Sequence, residues 1–480
     1  MRAGLLDRNG RGRGAVNRSR ERPWMTRHGR SWWRRVVSIA SLVALAAAWP
    51  ASLSARQPGL DPGDDERPNV LIVVTDDQRG GMWVMPRTRR WFEDGGRTYS
   101  NAFATTPLCC PSRASIMTGL YAHNHGVVKN ENGAWKEMDP ELTIQAQLQK
   151  AGYRTALFGK YLNRFPVTDD PPWFDEWALR ETDQSTSYYD GRWNVNGKVE
   201  TVTEYSTSFI GRLADDFIRS SERPWLMYVS VSAPHFPMTT EPSYANAEVR
   251  PWPMTPAMRE RDRTDKPAYV QRARASVSRN ERLRRRHLRT LMSVDDLVGG
   301  VRSALEETGQ AEETLVFFLS DNALVWGDHG VEAKVVPYMP AVKVPFLARW
   351  PGHIDEGTDD SLVATVDVAP TVLEAAGIEP STPMDGRSLL TGFRRDRLLT
   401  ENLDPFKGVP EWAALVLDDG RHYIEYYDTT GETTFHELYR LGTDPWELEN
   451  LLYDGESTSP DPHLSLLLAN DRACEGLLCP

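Results

Sequence analysis

Three apolar runs, each breaking off into acidic or other polar residues, set the strongest limit on how this 480-residue chain can fold. Residues 70–75 (VLIVVT) precede Asp76-Asp77, residues 226–231 precede Ala233-Pro234-His235, and residues 315–319 precede Ser320-Asp321-Asn322. Unbroken apolarity over five or six residues reads as a strand buried on both faces, as in a parallel sheet covered by helices. Helical patterns fill the intervals, at residues 142–151, 205–220 and the arginine-rich 270–305. Strands alternating with helices predict an α/β fold whose functional residues gather outside the carboxyl ends of the strands. Three strand ends then point at one crevice.

Near residues 389–392 the pattern changes. Segments 412–417 and 421–427, with turns at Asp418-Asp419-Gly420 and Thr429-Thr430-Gly431, predict a small antiparallel sheet. The expected organisation is a large α/β domain over 67–392, a smaller α+β subdomain over 393–465 and a tail over 466–480. Residues 1–55 read as an export signal: an arginine-rich start, an apolar stretch at 36–48 too short for a comfortable span, then small residues. Arg34-Arg35 sits in surroundings that fit a twin-arginine signal poorly, so general export is favoured, and either Met1 or Met25 can be the start. Residues 1–55 hold eleven Arg and two acidic side chains, so without them the formal charge moves from −11 to −20. Such acidity argues against nucleic acid as a partner and requires any anion to be held by a local basic pocket. Of the four cysteines, Cys474 and Cys479 in the tail are placed either to pair or to remain free thiols.

The other two open the run Cys109-Cys110-Pro111-Ser112-Arg113-Ala114-Ser115-Ile116-Met117-Thr118-Gly119. Pro111 suits the first turn of a helix and Gly119 its end, which puts Cys109 at a helix N-terminus, where N–H groups and the dipole favour an anion. Asp76, Asp77, Asp321 and Asn322 offer hard oxygen donors suited to Ca²⁺ or Mg²⁺. Zinc is disfavoured because the chain has no closely spaced Cys/His ligand set. Each acidic pair taken alone reads more readily as a turn or helix cap; their shared position at strand ends, together with the Cys109 run, favours the metal.

The Cys109 run fits Cys-x-Pro-Ser-Arg-x-x-x-(Leu/Met)-Thr-Gly and resembles type I sulfatases, in which that cysteine is oxidised to Cα-formylglycine. Residues 69–78 (NVLIVVTDDQ), 233–237 (APHFP), 384–389 (MDGRSL), Glu437-Leu438-Tyr439 and Asp444-Pro445 are similar to further landmarks of that family. His123-Asn124-His125, residues 159–163 (GKYLN) and 188–198 (YYDGRWNVNGK) resemble its N-acetylglucosamine-6-sulfatase and heparan endosulfatase branch. The resemblance implies an alkaline-phosphatase-like α/β/α sandwich with a large mixed sheet. It also implies a metal held by Asp76, Asp77, Asp321, Asn322 and the modified Cys109, and the oxygen-only ligands and exported setting lean towards Ca²⁺ before Mg²⁺. Arg113 would steady the aldehyde hydrate, and Lys160 and Lys334 would grip the sulfate. In the implied reaction one hydroxyl of the hydrate attacks sulfur, and the alcohol leaves with a proton from His235. Loss of the second hydroxyl's proton then expels sulfate and restores the aldehyde.

His125 and His329, the latter in Gly327-Asp328-His329-Gly330, are candidates for substrate contact or for structural hydrogen bonding. Trp173, Trp177 and Trp193, in a polar, tyrosine-rich insertion, are candidates for sugar stacking or, more simply, for packing. Leu162, Ala323, Val325 and Met339 depart from common family residues, and these departures bear on the substrate. The expected protein is an exported, secreted or periplasmic sulfatase acting on a sulfated carbohydrate such as a 6-O-sulfated glucosamine unit, matured by a formylglycine-generating enzyme. The rival readings are an arylsulfatase, a formylglycine-dependent phosphonate monoester hydrolase or phosphodiesterase, and an inactive glycan-binding homologue.

Overall fold

In strand β1 (Asn69–Thr75), Val70, Ile72 and Val74 face one apolar core while Leu71 and Val73 face another. Burial on both sides is what an unbroken apolar run requires, and each such side chain contributes about 1.5–3 kcal/mol. The first core is covered by helices Cys109–Thr118, Ile144–Lys150 and Val368–Ala375. Helices Pro86–Glu93, Ser206–Ser220 and Val277–Glu307 cover the second, which makes an α/β/α sandwich. This computed structural model describes residues 67–131, 133–182, 187–221 and 224–480; the export signal expected over 1–55 lies outside the described residues.

Along the chain the sheet takes in β1, β2 (Gly96–Phe103), β3 (Arg154–Gly159), β4 (Glu176–Arg180), β5 (Gly191–Val195), β6 (Lys198–Val202), β7 (Trp225–Ser230) and β8 (Thr314–Ser320). A short hairpin of β9 (Val325–Trp326) and β10 (Glu332–Ala333) follows, and the sheet resumes with β11 (Phe346–Arg349) and β12 (Gly357–Ala364). Its spatial order is β12-β2-β11-β8-β1-β7-β3-β4-β5-β6. The four central neighbours β8, β1, β7 and β3 run parallel, with Thr75 opposite Ser320 and Gly159 opposite Ser230. Their carboxyl ends therefore lie side by side. β5, β6 and β11 run antiparallel to their neighbours, so the sheet is mixed, as the family resemblance implied.

The tryptophan-bearing insertion adds strands to this sheet. Trp193 on β5 is buried against Phe209 with ring centroids 5.0 Å apart, Trp177 on β4 donates to Asn194 at 3.0 Å, and Lys150 lies over the Trp173 ring at 4.8 Å. The arginine-rich stretch forms two helices instead of one, Ala268–Arg272 and Val277–Glu307. The break falls where Ala273 turns extended and the Ser276 side chain caps the second helix by accepting the Arg279 N–H.

A separate antiparallel sheet, in the order β13 (Arg397–Asn402), β14 (Glu411–Leu417), β15 (Arg421–Tyr427) and β16 (Thr433–Arg440), follows the change in pattern. Its apolar face shares a core with Val336, Tyr338 and Phe103. After helix Pro462–Asp471, Cys474 and Cys479 are disulfide-bonded. The Cys474 carbonyl accepts from Asn124 at 2.9 Å and from His123 at 3.1 Å, which fastens the chain end to the large domain.

Candidate active site

Each of the four central parallel strands delivers a polar group to the same edge. Asp76 and Asp77 follow β1, Lys160 follows β3, the Ser232–His235 loop follows β7, and Asp321 and Asn322 follow β8. Asp77 holds φ at 70°, a left-handed conformation that few residues other than Gly adopt readily. Gly159 has φ 117°, and a Cβ there would lie 1.9 Å from the Ser230 carbonyl oxygen, so only Gly lets the chain pass close enough to β7 to place Lys160. Helix Cys109–Thr118, every residue of it buried, brings its first residue to this edge and ends at Gly119 with φ 71°. Its N-terminal N–H groups are not all free for an anion, because Asn130 accepts from the Cys110 N–H at 2.8 Å.

One ligand atom each from Asp76, Asp77, Cys109 and Asp321 lie within 4.8 Å of one another, and all four residues are buried. The thiol Sγ stands 3.3 Å from Asp76 Oδ1, 2.7 Å from Lys334 Nζ and 3.5 Å from Asn322 Nδ2. In a modified enzyme this position belongs to the hydroxyl groups of an aldehyde hydrate, so contacts to Sγ stand in for contacts to those oxygens. Asn322 also donates to Asp321 Oδ1 at 2.9 Å, while its own Oδ1, buried, has no hydrogen-bond partner. Three carboxylates and an orphaned amide oxygen at such distances fit a hard divalent cation.

Cations close the cluster from the other side. Lys160 Nζ is 2.6 Å from Asp76 Oδ2, Lys334 Nζ is 2.6 Å from Asp77 Oδ1, and Arg113 Nε donates to Asp321 Oδ2 at 2.8 Å. His235 Nε2 lies 3.6 Å from Asp77 Oδ2, and its Nδ1–H donates to the Phe236 carbonyl at 2.7 Å, which leaves Nε2 facing the crevice. Arg113 also donates to the Lys160 carbonyl at 3.3 Å and to Ser230 Oγ, so it ties the ends of β3, β7 and β8 together.

Burial works to raise the Asp76 carboxyl, but Lys160, His235, Arg113 and Lys334 overcome it and hold the group well below the usual carboxylate range. For Asp321, burial and the neighbouring Asp76 win over Arg113, and the shift is upward. Burial opposes the Lys334 charge, yet Asp77 and the other acids raise its pKa well above an ordinary lysine's. Burial first, then Asp76, push the Cys109 thiol up to about 12. As an unmodified thiol it would stay protonated near neutrality and would be a poor nucleophile.

His125 and His329 make structural contacts. His125 sits behind helix Cys109–Thr118, accepting from the Val127 N–H through Nδ1 at 3.1 Å and meeting Ser115 Oγ through Nε2 at 3.1 Å; burial pushes its pKa down to about 3. His329 is fully buried and donates from Nδ1 to Glu260 Oε2 at 2.8 Å.

Several supporting residues complete the frame, and of these only Ser112, in the Cys109 run, and Tyr188, in the 188–198 stretch, lie in segments the sequence singled out. Ser230 is one small polar residue at a strand end, Asn130 lies in a loop, and Ser112 Oγ donates to the Asp321 carbonyl. Arg180, 2 % exposed at the end of β4, donates to Ser232 Oγ at 3.1 Å, and the Tyr188 hydroxyl donates to the His235 carbonyl at 2.7 Å. These two steady the loop that carries His235, and only the pairing of β4 beside β3 reveals it.

Residues 68–378 match the family model described as Sulfatase, and residues 327–472 match one described as N-sulphoglucosamine sulphohydrolase, C-terminal. An N-acetylglucosamine-6-sulfatase of Capra hircus is 30% identical over 480 aligned residues, covering 86% of this chain and 85% of that one. An extracellular sulfatase SULF-1 homolog of Drosophila melanogaster is 34% identical, covering 70% of this chain but only 32% of its own length, so the chain spans about a third of that relative. Among solved structures, one described as a complex with its substrate D-glucosamine-2-N,6-O-disulfate superposes with a TM-score of 0.74 at 21% identity, covering 84% of this chain and 97% of the other.

Proposed function

Because this chain belongs to the sulfatase family, we propose that it hydrolyses the sulfate ester of a carbohydrate, a 6-O-sulfated glucosamine or a related unit. The reading rests on one observation above all: Asp76, Asp77, Asp321 and Cys109 converge within 4.8 Å, with Lys160 and Lys334 each 2.6 Å from one of the carboxylates. Cys109, oxidised to Cα-formylglycine by a formylglycine-generating enzyme, supplies the nucleophilic hydroxyl. Asp76, Asp77, Asp321 and Asn322 would hold Ca²⁺, or Mg²⁺ in its place, whose chemistry is to polarise a sulfate oxygen.

The chain's own residues do the rest. Lys160 and Lys334 neutralise the sulfate oxygens as charge builds on them. Arg113 holds Asp321 and the ends of β3 and β7 in register, which fixes the carboxylate geometry without further rearrangement. His235 gives an Nε2 proton to the departing sugar oxygen, with Nδ1–H fixed on the Phe236 carbonyl. Three buried carboxylates meet three fixed cations here, so the positive charge that a divalent ion would add is offset in part by a monoanionic ester.

The glucosamine reading follows the name of the goat relative and the YYDGRWNVNGK stretch whose Tyr188 braces His235. Export, through a signal over residues 1–55, fits the extracellular relative; among the described residues no helix is long and apolar enough to cross a membrane. Two measurements test the proposal. Mass spectrometry of the peptide carrying Cys109, after co-expression with the generating enzyme, should show the aldehyde; a purely unmodified thiol would refute the nucleophile. Paired sulfate and phosphate esters of the same alcohol should give the higher kcat/KM on sulfate, and the reverse order would favour a phosphonate or phosphate ester hydrolase.

A further inference from the structure

Cations also converge in a second place. A cleft of about 170 Å³ lies between the residue 326–330 loop, the first turn of helix Val277–Glu307 and the segment 254–263. Arg263, Arg274 and Arg284 line it with Asn280, against one acid, Glu260. That acid is paired through Oε2 with His329 Nδ1 at 2.8 Å, while its buried Oε1, 3.8 Å from Lys266 Nζ, has no hydrogen-bond partner.

Arg284 carries the argument. It is 3 % exposed, and its guanidinium meets the Trp326 carbonyl at 3.2 Å and the sulfurs of Met254 and Met258 at 3.3 and 3.6 Å. No ion-pair distance to a carboxylate is found for it among the described residues, and its Nε–H, like that of Arg263, is buried without a partner. A guanidinium enclosed by sulfur and carbonyl groups is unfavourable unless an anion completes it. Burial, with Arg79 as a like charge nearby, lowers the Arg284 pKa, and the more distant acids Asp328 and Glu281 do not offset it. The 31-residue helix that begins at the cleft adds a dipole of the same sign, although Glu332 already accepts its Ser276 N–H at 2.7 Å.

We propose that this cleft is an oxyanion-binding site, taking a sulfate or carboxylate group between Arg263, Arg274 and Arg284. Met254, Met258 and Trp326 give it an apolar wall, which suits an anionic group carried on an organic body. Trp326 is on β9 of the hairpin whose other strand leads directly into Lys334, so an occupant bears on the element that places a sulfate-gripping lysine. Two sources offer the same chemistry: an acidic group on a neighbouring sugar of the substrate, which rests on the proposed sulfatase activity, or a free oxyanion such as released sulfate.

Crystals of the whole chain soaked in sodium selenate test the site directly, and the anomalous signal does not depend on turnover. A peak in the cleft that disappears in Arg284→Met and weakens in Arg274→Ala is expected; Arg274 is exposed, so its variant folds even if the other does not. No peak in the parent protein would overturn the proposal, and a peak unchanged in both variants would mean an adventitious ion only and overturn it likewise. Kinetics then separate the sources. If Arg274→Ala loses roughly five- to tenfold in kcat/KM on a sulfated disaccharide with a uronate, but not on the sulfated monosaccharide, the occupant is substrate. Equal kcat/KM ratios with the selenate peak intact in the parent assign it to a free oxyanion. Should the chain hydrolyse no sulfate ester at all, the selenate result still decides the site.

Discussion

Buried carboxylates occur in two regions of this molecule, and they are treated in opposite ways. In the C-terminal sheet, fully buried Glu437 accepts from the hydroxyls of Tyr426 at 2.5 Å, Tyr439 at 2.6 Å and Tyr338 at 3.1 Å, while Glu447 takes His422 Nδ1 at 2.7 Å and the Met339 N–H at 2.9 Å. Neutral donors satisfy the acid and little is left to react. Burial accordingly outweighs nearby Lys266 and the tyrosines, and the Glu437 pKa is raised. In the crevice, Asp76, Asp77 and Asp321 face full cations, and Asn322 Oδ1 is left unsatisfied. Complete hydrogen bonding by neutral groups suits a structural acid, whereas cationic partners beside an orphaned amide oxygen suit the chemistry proposed for the crevice.

The two regions are nevertheless joined. Lys334 is followed by Val335 with φ at 75°, an unfavourable conformation for a β-branched residue. Trp412 on β14 donates its indole N–H to the Val335 carbonyl at 2.7 Å, and Glu437 holds Tyr338 three residues further on. The C-terminal sheet thus buttresses the loop that brings Lys334 to Cys109.

Changes in the crevice should cut activity and spare the fold. The largest effect is expected for Cys109→Ala, a loss of kcat on the order of 10⁴-fold or more with an unchanged melting temperature. Next comes Lys334→Met, where a fall in kcat of about 10²–10³-fold is expected in steady-state assays of the folded protein; a fall under threefold would remove Lys334 from the sulfate grip.

Arg79→Met addresses the loop between the regions, because Arg79 pairs with fully buried Asp328 at 2.5 Å. Burial would raise the Asp328 carboxyl, but Arg79 outweighs it and the folded-state pKa is depressed. That stability is therefore present above the unfolded value of about 4 and is lost as pH falls through the folded one. Denaturant titrations from pH 7 to pH 2 should show the variant about 3 kcal/mol less stable at neutrality, with a flatter acid limb.

Within the C-terminal sheet the signs reverse. Glu437→Gln sets an amide N–H₂ against tyrosine hydroxyls that donate, and should cost about 1–3 kcal/mol of stability, while kcat per folded molecule falls no more than severalfold through the loosened Tyr338. Trp412→Phe is the smallest and sharpest comparison: losing one hydrogen bond of about 1 kcal/mol should lower kcat severalfold, with the melting temperature nearly unmoved. A variant that melted early yet turned over normally would deny the buttress.

The sequence made the crevice legible because strands and acids share one period: an apolar run that must be buried on both faces can place a polar residue only where the strand ends. It also carried the Cys109 helix, whose Pro111 and Gly119 mark its limits, and the two turns of the C-terminal sheet. Arg180 and Ser230 were not legible, and Tyr188, although inside the 188–198 stretch, gave no sign of its bond to the His235 loop. Each is an ordinary residue until β4 and β7 lie on either side of β3. The same holds for the break at 273–276, where a capping serine outweighed a helical pattern.

What the sequence alone determined was local: which segments are strands buried on both faces, where they end, and which helix begins with Cys109. Tertiary structure decided the distances. Lys334 lies 225 residues from Cys109 along the chain yet 2.7 Å from it in space, because a hairpin, a strained valine and an indole from another sheet hold it there. It likewise decided the hydrogen bonds of His125 and the surroundings of Arg284, since whether a polar group finds a partner depends on what packs around it, and that packing is long-range.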